Sequence, residues 1–285
     1  MEFRVLGPLE ITIDGDRLRL VDSREQRVLA MLLLEAGRVV PLTRLVAAAW
    51  DKDPPPSATK LVRNSVSVLR RRLADAGAAG QLIVTDPAGY ALHVPPERID
   101  LAIFEYGVAQ GRHLASTGRR ESAVTCLRGA LALWRGDPLA GVRGAVIQAA
   151  AARLAEHRLT VQEECLAHEL ALGRGPQLVA ELTELVAVHP LRERLHAQLM
   201  LAMHRAGRRG EALGVYRLAR RTLVEELGLE PGPELTALHQ AILSGDSRLD
   251  AAVAPMLPEP AAPRHLPAPP QMFIRRIMEL DRQVG

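Results

Sequence analysis

Apolar and polar positions change period several times along this chain, and each change marks an element. The stretch VLGPLEITIDG, followed by DRLRL, alternates in short runs, with Asp14 and Gly15 between two of them. This predicts a small antiparallel sheet containing a tight hairpin. From Arg24 to Ala36 the period lengthens, placing Val28, Leu29, Leu32 and Leu33 on one helical face, with Ser23 as the expected N-cap and Gly37 as the stop. Thr43 to Trp50 reads as a second helix. The segment DKDPPPS cannot continue it, because three successive prolines remove backbone donors and fix φ. A third helix is expected from about Ser57 to Ala76, with Val62, Val66, Leu69 and Leu73 on its buried side. LIVTDPAGYALHV then reads as two strands around a turn, or wing, of Asp86, Pro87, Ala88 and Gly89.

The opposite face of the third helix has a different chemistry. It carries Lys60, Asn64, Ser67, Val68 and Arg71, with Arg63 and Arg70 on one flank and Arg72 on the other. Such a face suits a DNA major groove. Arg and Lys neutralise phosphates or pair with guanine, Asn64 pairs with adenine, Ser67 serves base or backbone, and Val68 packs on a thymine methyl. A solvated basic helix is the plainer account, and the flanking elements shift the balance. Arg24, Arg27 and Arg44, at helix starts, form a second group of candidates for phosphate contact.

From about Leu101 to Leu243 the pattern is almost continuously helical and repetitive. Gly118-Arg119-Arg120-Glu121-Ser122-Ala123 and Gly207-Arg208-Arg209-Gly210-Glu211-Ala212 are near copies, and Gly173-Arg174-Gly175-Pro176 begins a similar turn. Gly173 and Gly207 are separated by 34 positions, the period of tetratricopeptide repeats. Helix pairs of that kind bury a continuous core only by stacking.

The runs SREQRVLAMLLLEAGRVVPLTRLVAAAW, DPPPSATKLVRNSVSVLRRRL and DPAGYAL resemble the DNA-binding domain of the Streptomyces antibiotic regulatory protein (SARP) family. ALALWRGDPLAGV, RLAEHRLTVQEECLAHELALGR and LRERLHAQLMLAMHRAGRRGEALGVYRLARRTLVEELGLEPGPEL resemble the bacterial transcriptional activator domain that follows it. The resemblance covers Met1 to about Leu243. It departs at Val68, where many relatives carry a basic residue, and at Asp86, where an acid would repel phosphate.

The fold expected is therefore mainly α. Residues 1–98 form an N-terminal winged helix-turn-helix of the response-regulator output type (α+β), and residues 99–247 an all-α tetratricopeptide-like repeat domain. Residues 248–285 form a Pro/Ala-rich linker and a short amphipathic helix through Phe273, Ile274, Ile277, Leu280 and Val284. The resemblance implies an activator that binds direct repeats in promoter DNA as a homodimer. It also implies recruitment of RNA polymerase holoenzyme through the sigma factor and other subunits, and control of an antibiotic or secondary-metabolite cluster.

Composition changes this picture little. The net charge is only +3, but the cations cluster locally. The two cysteines, Cys126 and Cys165, lack metal-ligand spacing and read as reduced, buried core residues. Phe3, Trp50, Tyr90, Phe104, Trp134 and Tyr216 read as core, the last three on helical stripes. No GxxxxGK(S/T), GxGxxG, HExxH or GxSxG pattern is present, and the nine histidines are dispersed. His157 and His168 share a helix without a third ligand, and His189, before Pro190, reads as a helix C-cap. No enzyme, cofactor or metal site is expected. With no apolar run of membrane-spanning length and no signal-peptide pattern in MEFRVLG, a cytoplasmic, nucleoid-associated protein is expected. Two alternatives stand beside the activator: a protein-interaction adaptor built on the repeats, and the output half of a larger ATP-responsive regulator.

Overall fold

The computed structural model describes residues 1–78 and 80–249. The linker and short helix expected further along lie outside the described residues. By their contacts the described residues fall into two units, one of residues 1–109 and 128–159, the other of residues 110–127 and 160 onward.

In the first unit, β1 (Glu2–Arg4), β2 (Glu10–Ile13) and β3 (Asp16–Leu18) form an antiparallel sheet in that order. Asp14 and Gly15 make the two-residue turn with φ of 49° and 97°. Helix α1 spans Ser23–Leu34, and its N-cap is Asp22, not the expected Ser23. Asp22 Oδ1 accepts from the amides of Arg24 and Glu25 at 2.7 and 3.1 Å, so a carboxylate holds both orphan donors and Ser23 becomes the first helical residue. A short strand, β4 (Val39–Pro41), was not visible in the periodicity, since three residues with one buried position carry no alternation.

Helices α2 (Leu42–Ala49) and α3 (Ala58–Asp75) and strands β5 (Ile83–Asp86) and β6 (Gly89–Leu92) complete the winged helix. Its sheet has the order β4-β6-β5, all antiparallel. The predicted stripes meet in one core: Val28, Leu29 and Leu32 of α1, Leu45 of α2, and Val62, Val66 and Leu69 of α3 are fully buried. Gly89 is required where β6 meets β4. A Cβ there would lie 2.0 Å from Val40 O.

Among the described residues seven more α-helices follow: α4 (Asp100–Ser116), α5 (Arg120–Leu131), α6 (Ala145–Ala171), α7 (Gly175–Val188), α8 (Glu193–Arg205), α9 (Arg209–Leu227) and α10 (Pro233–Ser244). Between α5 and α6 the expected helical run is broken. The amides of Arg135 and Leu139 donate instead to Leu6 O and Val5 O at 2.8 and 3.0 Å. Trp134 sits in this loop rather than on a helical stripe, edge-on to Phe104 with ring centroids 5.3 Å apart. Two other aromatics are only half-buried: Trp50 lies under the Arg24 guanidinium, and Tyr216 stacks on His239. Neither cysteine is in a disulfide; Cys165 is buried as expected and Cys126 only partly so.

In the second unit the glycine turns share one construction. Gly118, Gly173 and Gly207 have φ of 79°, 81° and 75°. The next residue in each case donates to a carbonyl five positions back: Arg119 to Leu114, Arg174 to Glu169 and Arg208 to Met203. These are left-handed helix C-caps, where any side chain is strained. His189 is the C-cap of α7. Among the described residues no helix is long and apolar enough to cross a membrane.

Candidate nucleic-acid interface

Packing against the core leaves one side of α3 in solvent. Val62, Ser65, Val66, Leu69 and Leu73 are buried, while Lys60, Arg63, Asn64, Ser67 and Arg71 are exposed and Val68 is half-buried among them. Among the described residues, no carboxylate pairs with Lys60, Arg63 or Arg71. Ser67 donates its hydroxyl proton to Arg63 O at 3.0 Å, leaving its oxygen as an acceptor. The result is a strip of three unpaired cations, one amide and one small apolar group. Such a strip can neutralise phosphates and match base edges in a groove wide enough for a helix.

The other arginines expected on this surface are engaged elsewhere. Arg70 donates through Nε to Ile83 O at 2.8 Å and through Nη2 to Thr85 Oγ1 at 2.7 Å, with its guanidinium 5.7 Å from the Tyr90 ring. Arg72 pairs with Glu25 of α1 at 3.3 Å. Burial pushes the Glu25 carboxyl above the usual carboxylate range, and Arg72 opposes that shift. Arg44 pairs with Glu35 at 2.8 Å, and Arg27 donates to Ala49 O at 2.9 Å. Arg24 lies 5.0 Å from the Trp50 ring centre. Sequence position put Arg70 and Arg72 on the flanks of the strip and Arg24, Arg27 and Arg44 at helix starts, but an arginine stem reaches far enough to find an internal partner, which periodicity does not register.

In the wing, Asp86 Oδ1 accepts from Ala88 N at 2.8 Å, so the acid closes the turn of Pro87 and Ala88. Its presence there has a local structural cause. Thr59 extends the exposed face by one turn. It is exposed in the first turn of α3, four residues before Arg63. Ser57 makes no side-chain capping bond to that helix and no acid lies in its first turn. Among the described residues no group of three or more His, Cys, Asp or Glu is placed to hold a metal.

Comparison with known proteins places this geometry in context. Residues 16–92 match the family "Transcriptional regulatory protein, C terminal", and residues 99–243 match "Bacterial transcriptional activator domain". The chain is 40% identical over 280 residues to the regulatory protein AfsR of Streptomyces coelicolor, covering 97% of this chain and 28% of AfsR. It is 37% identical over 257 residues to the regulatory protein DnrI of Streptomyces peucetius, covering 88% of this chain and 94% of DnrI. The chain thus spans about a quarter of AfsR but nearly all of DnrI. Among solved structures, Mycobacterium tuberculosis EmbR in complex with a low-affinity phosphopeptide superposes with a TM-score of 0.81 at 32% identity, over 99% of this chain and 69% of that one.

Proposed function

The chain belongs to the SARP family of transcriptional regulators, and on that premise we propose that it is an activator whose α3 enters the major groove of promoter DNA. One observation carries this reading: Lys60, Arg63 and Arg71 stand exposed and unpaired on one strip with Asn64, Ser67 and Val68, while neighbouring arginines are tied into the fold. The three cations supply sequence-independent attraction, and Asn64 and Val68 supply base preference. The family adds the finer expectations: direct-repeat sites occupied by two protomers side by side, recruitment of polymerase through the sigma factor and other subunits by helix faces of the repeats, and control of an antibiotic or secondary-metabolite cluster. In this reading the protein is not an enzyme and acts in the cytoplasm on the nucleoid.

The test is fluorescence anisotropy of the whole chain against duplexes from the promoter region beside its own gene, over a range of salt concentrations, with scrambled duplexes as controls. Tight, sequence-dependent binding with a steep salt slope is expected. Equal, weak binding to every duplex would overturn the proposal and bring the adaptor forward.

A further inference from the structure

We propose that Arg70 is a positioning residue that sets the β5–β6 hairpin against α3 for DNA contact, rather than a residue that touches DNA. The inference rests on the DNA-reading function proposed above.

The hairpin is small and weakly held along one side. Strand β5 is the outer strand of the sheet, since the order is β4-β6-β5. Leu82 O accepts from His93 N at 2.8 Å across the β5–β6 pair. Carbonyls alternate along a strand, so that of Ile83 points to the outer edge, where no strand among the described residues pairs with it. Arg70 supplies the missing donor through Nε at 2.8 Å. Its Nη2 takes the Thr85 hydroxyl at 2.7 Å, and its plane lies 5.7 Å from the ring of Tyr90, the cross-strand partner of Thr85. One guanidinium on α3 thus engages both strands of the hairpin.

The geometry also limits what Arg70 can offer a groove. A guanidinium recognises phosphate or guanine through a fork of two parallel N–H groups. Here the side-on fork of Nε and Nη2 is already committed to the hairpin, leaving only the end-on pair of Nη1 and Nη2. Exposed Arg63 and Arg71 have no such commitment.

The experiment uses the full chain and the duplex that the unmodified chain selects from a randomised pool. Anisotropy across a salt series and hydroxyl-radical footprinting are run on Arg70→Ala, Arg70→Lys, Thr85→Val and the Arg70→Ala/Thr85→Val double variant. Arg70→Ala should bind about ten-fold more weakly through loss of a preordered wing, with the salt slope unchanged. Arg70→Lys keeps the charge but not the fork and should fall in the same direction. Thr85→Val, which alters no charge and leaves the core intact, should weaken binding too, and the double variant should be no weaker than Arg70→Ala alone. Protection should fade only at the wing flank of the footprint. A salt slope reduced by about 0.9 in Arg70→Ala, rescue by lysine and no effect of Thr85→Val would make Arg70 a phosphate contact and overturn the proposal. Failure of the unmodified chain to select any duplex would instead sink the DNA-reading function, in an arm that carries no substitution.

Discussion

Both carboxylate oxygens of Asp100 accept the backbone N–H of Val5, at 2.8 and 3.0 Å, and Oδ2 also accepts that of Leu6 at 3.0 Å. The carboxylate caps the first turn of α4 through Leu101 N at 2.8 Å, with Arg135 3.7 Å away. One buried acid therefore ties the segment after β1 to a helix about a hundred residues later. Asp100→Asn places an amide donor where donors already converge. It should cost about 1–3 kcal/mol for each buried N–H left unpaired, read as a lower denaturation midpoint at unchanged m-value. A midpoint equal to that of the unmodified chain would show that the carboxylate is not the tie described.

The residues of α3 proposed to face the groove should divide by chemistry. Arg71→Ala should weaken binding to all duplexes alike and lower the salt slope by about 0.9. Asn64→Ala should leave the slope unchanged and relax base preference, at about 1–3 kcal/mol of discrimination lost. Salt series on matched and mismatched duplexes separate the two effects. If neither substitution changes binding, α3 does not face DNA.

Arg72 should behave differently from Arg71, its neighbour in sequence. Arg72→Ala leaves the buried Glu25 carboxyl without its cation, so it should lower stability by about 1–2 kcal/mol, the value discounted because Arg72 is partly exposed. Its salt slope on DNA should match that of the unmodified chain. Glu25→Gln, combined with Arg72→Ala, should restore part of the loss in thermal melting. A reduced salt slope would assign Arg72 to the DNA surface instead.

His196 and Asp100 should contribute to the pH dependence of stability with opposite sign. His196 on α8 is buried, with a ring nitrogen 2.9 Å from Pro190 O, and desolvation lowers its pKa from the ordinary 6.5 despite that bond and nearby Glu193. The unfolded chain therefore takes up a proton that the folded chain resists. The contribution is full above 6.5 and declines as the pH falls from there toward the lowered folded value. Asp100 is raised from 3.8 by desolvation, partly offset by its backbone donors and Arg135, so its contribution declines as the pH rises from 3.8 toward the raised value. Melting temperatures measured between neutral and mildly acidic pH should fall for the unmodified chain and fall less for His196→Asn. Equal falls would remove His196 as the cause.

The periodic parts of this fold were legible from residues alone, because Val28, Leu29, Val62, Val66 and Leu69 report burial through spacing. The Asp14-Gly15 turn and the glycine caps were legible too, since few residues accept positive φ. Strand β4 was not, being a product of pairing with β6 rather than of its own pattern. Nor was the loop around Trp134, whose amides are satisfied by Val5 and Leu6 far back in the chain. The site was half legible for the same reason. Helical spacing found the exposed face of α3, but the partners that withdraw Arg70, Arg72, Arg44 and Arg27 lie 13, 47, 9 and 22 positions away, beyond the reach of a helical wheel.

The bonds from Arg135 and Leu139 back to Leu6 and Val5 bear on how such regulators can diversify. Recombination that exchanged reading heads between two relatives at residue 98 would deliver β1 and its neighbouring loop without Asp100 and residues 135–139, their hydrogen-bond partners. Chimeras joined there should inherit compatible groove specificity only when the recipient supplies an acid at position 100 and a matching loop. If α3 reads DNA as proposed, new operator preferences are more readily acquired by point changes along the exposed strip from Lys60 to Arg71, which carries little of the core.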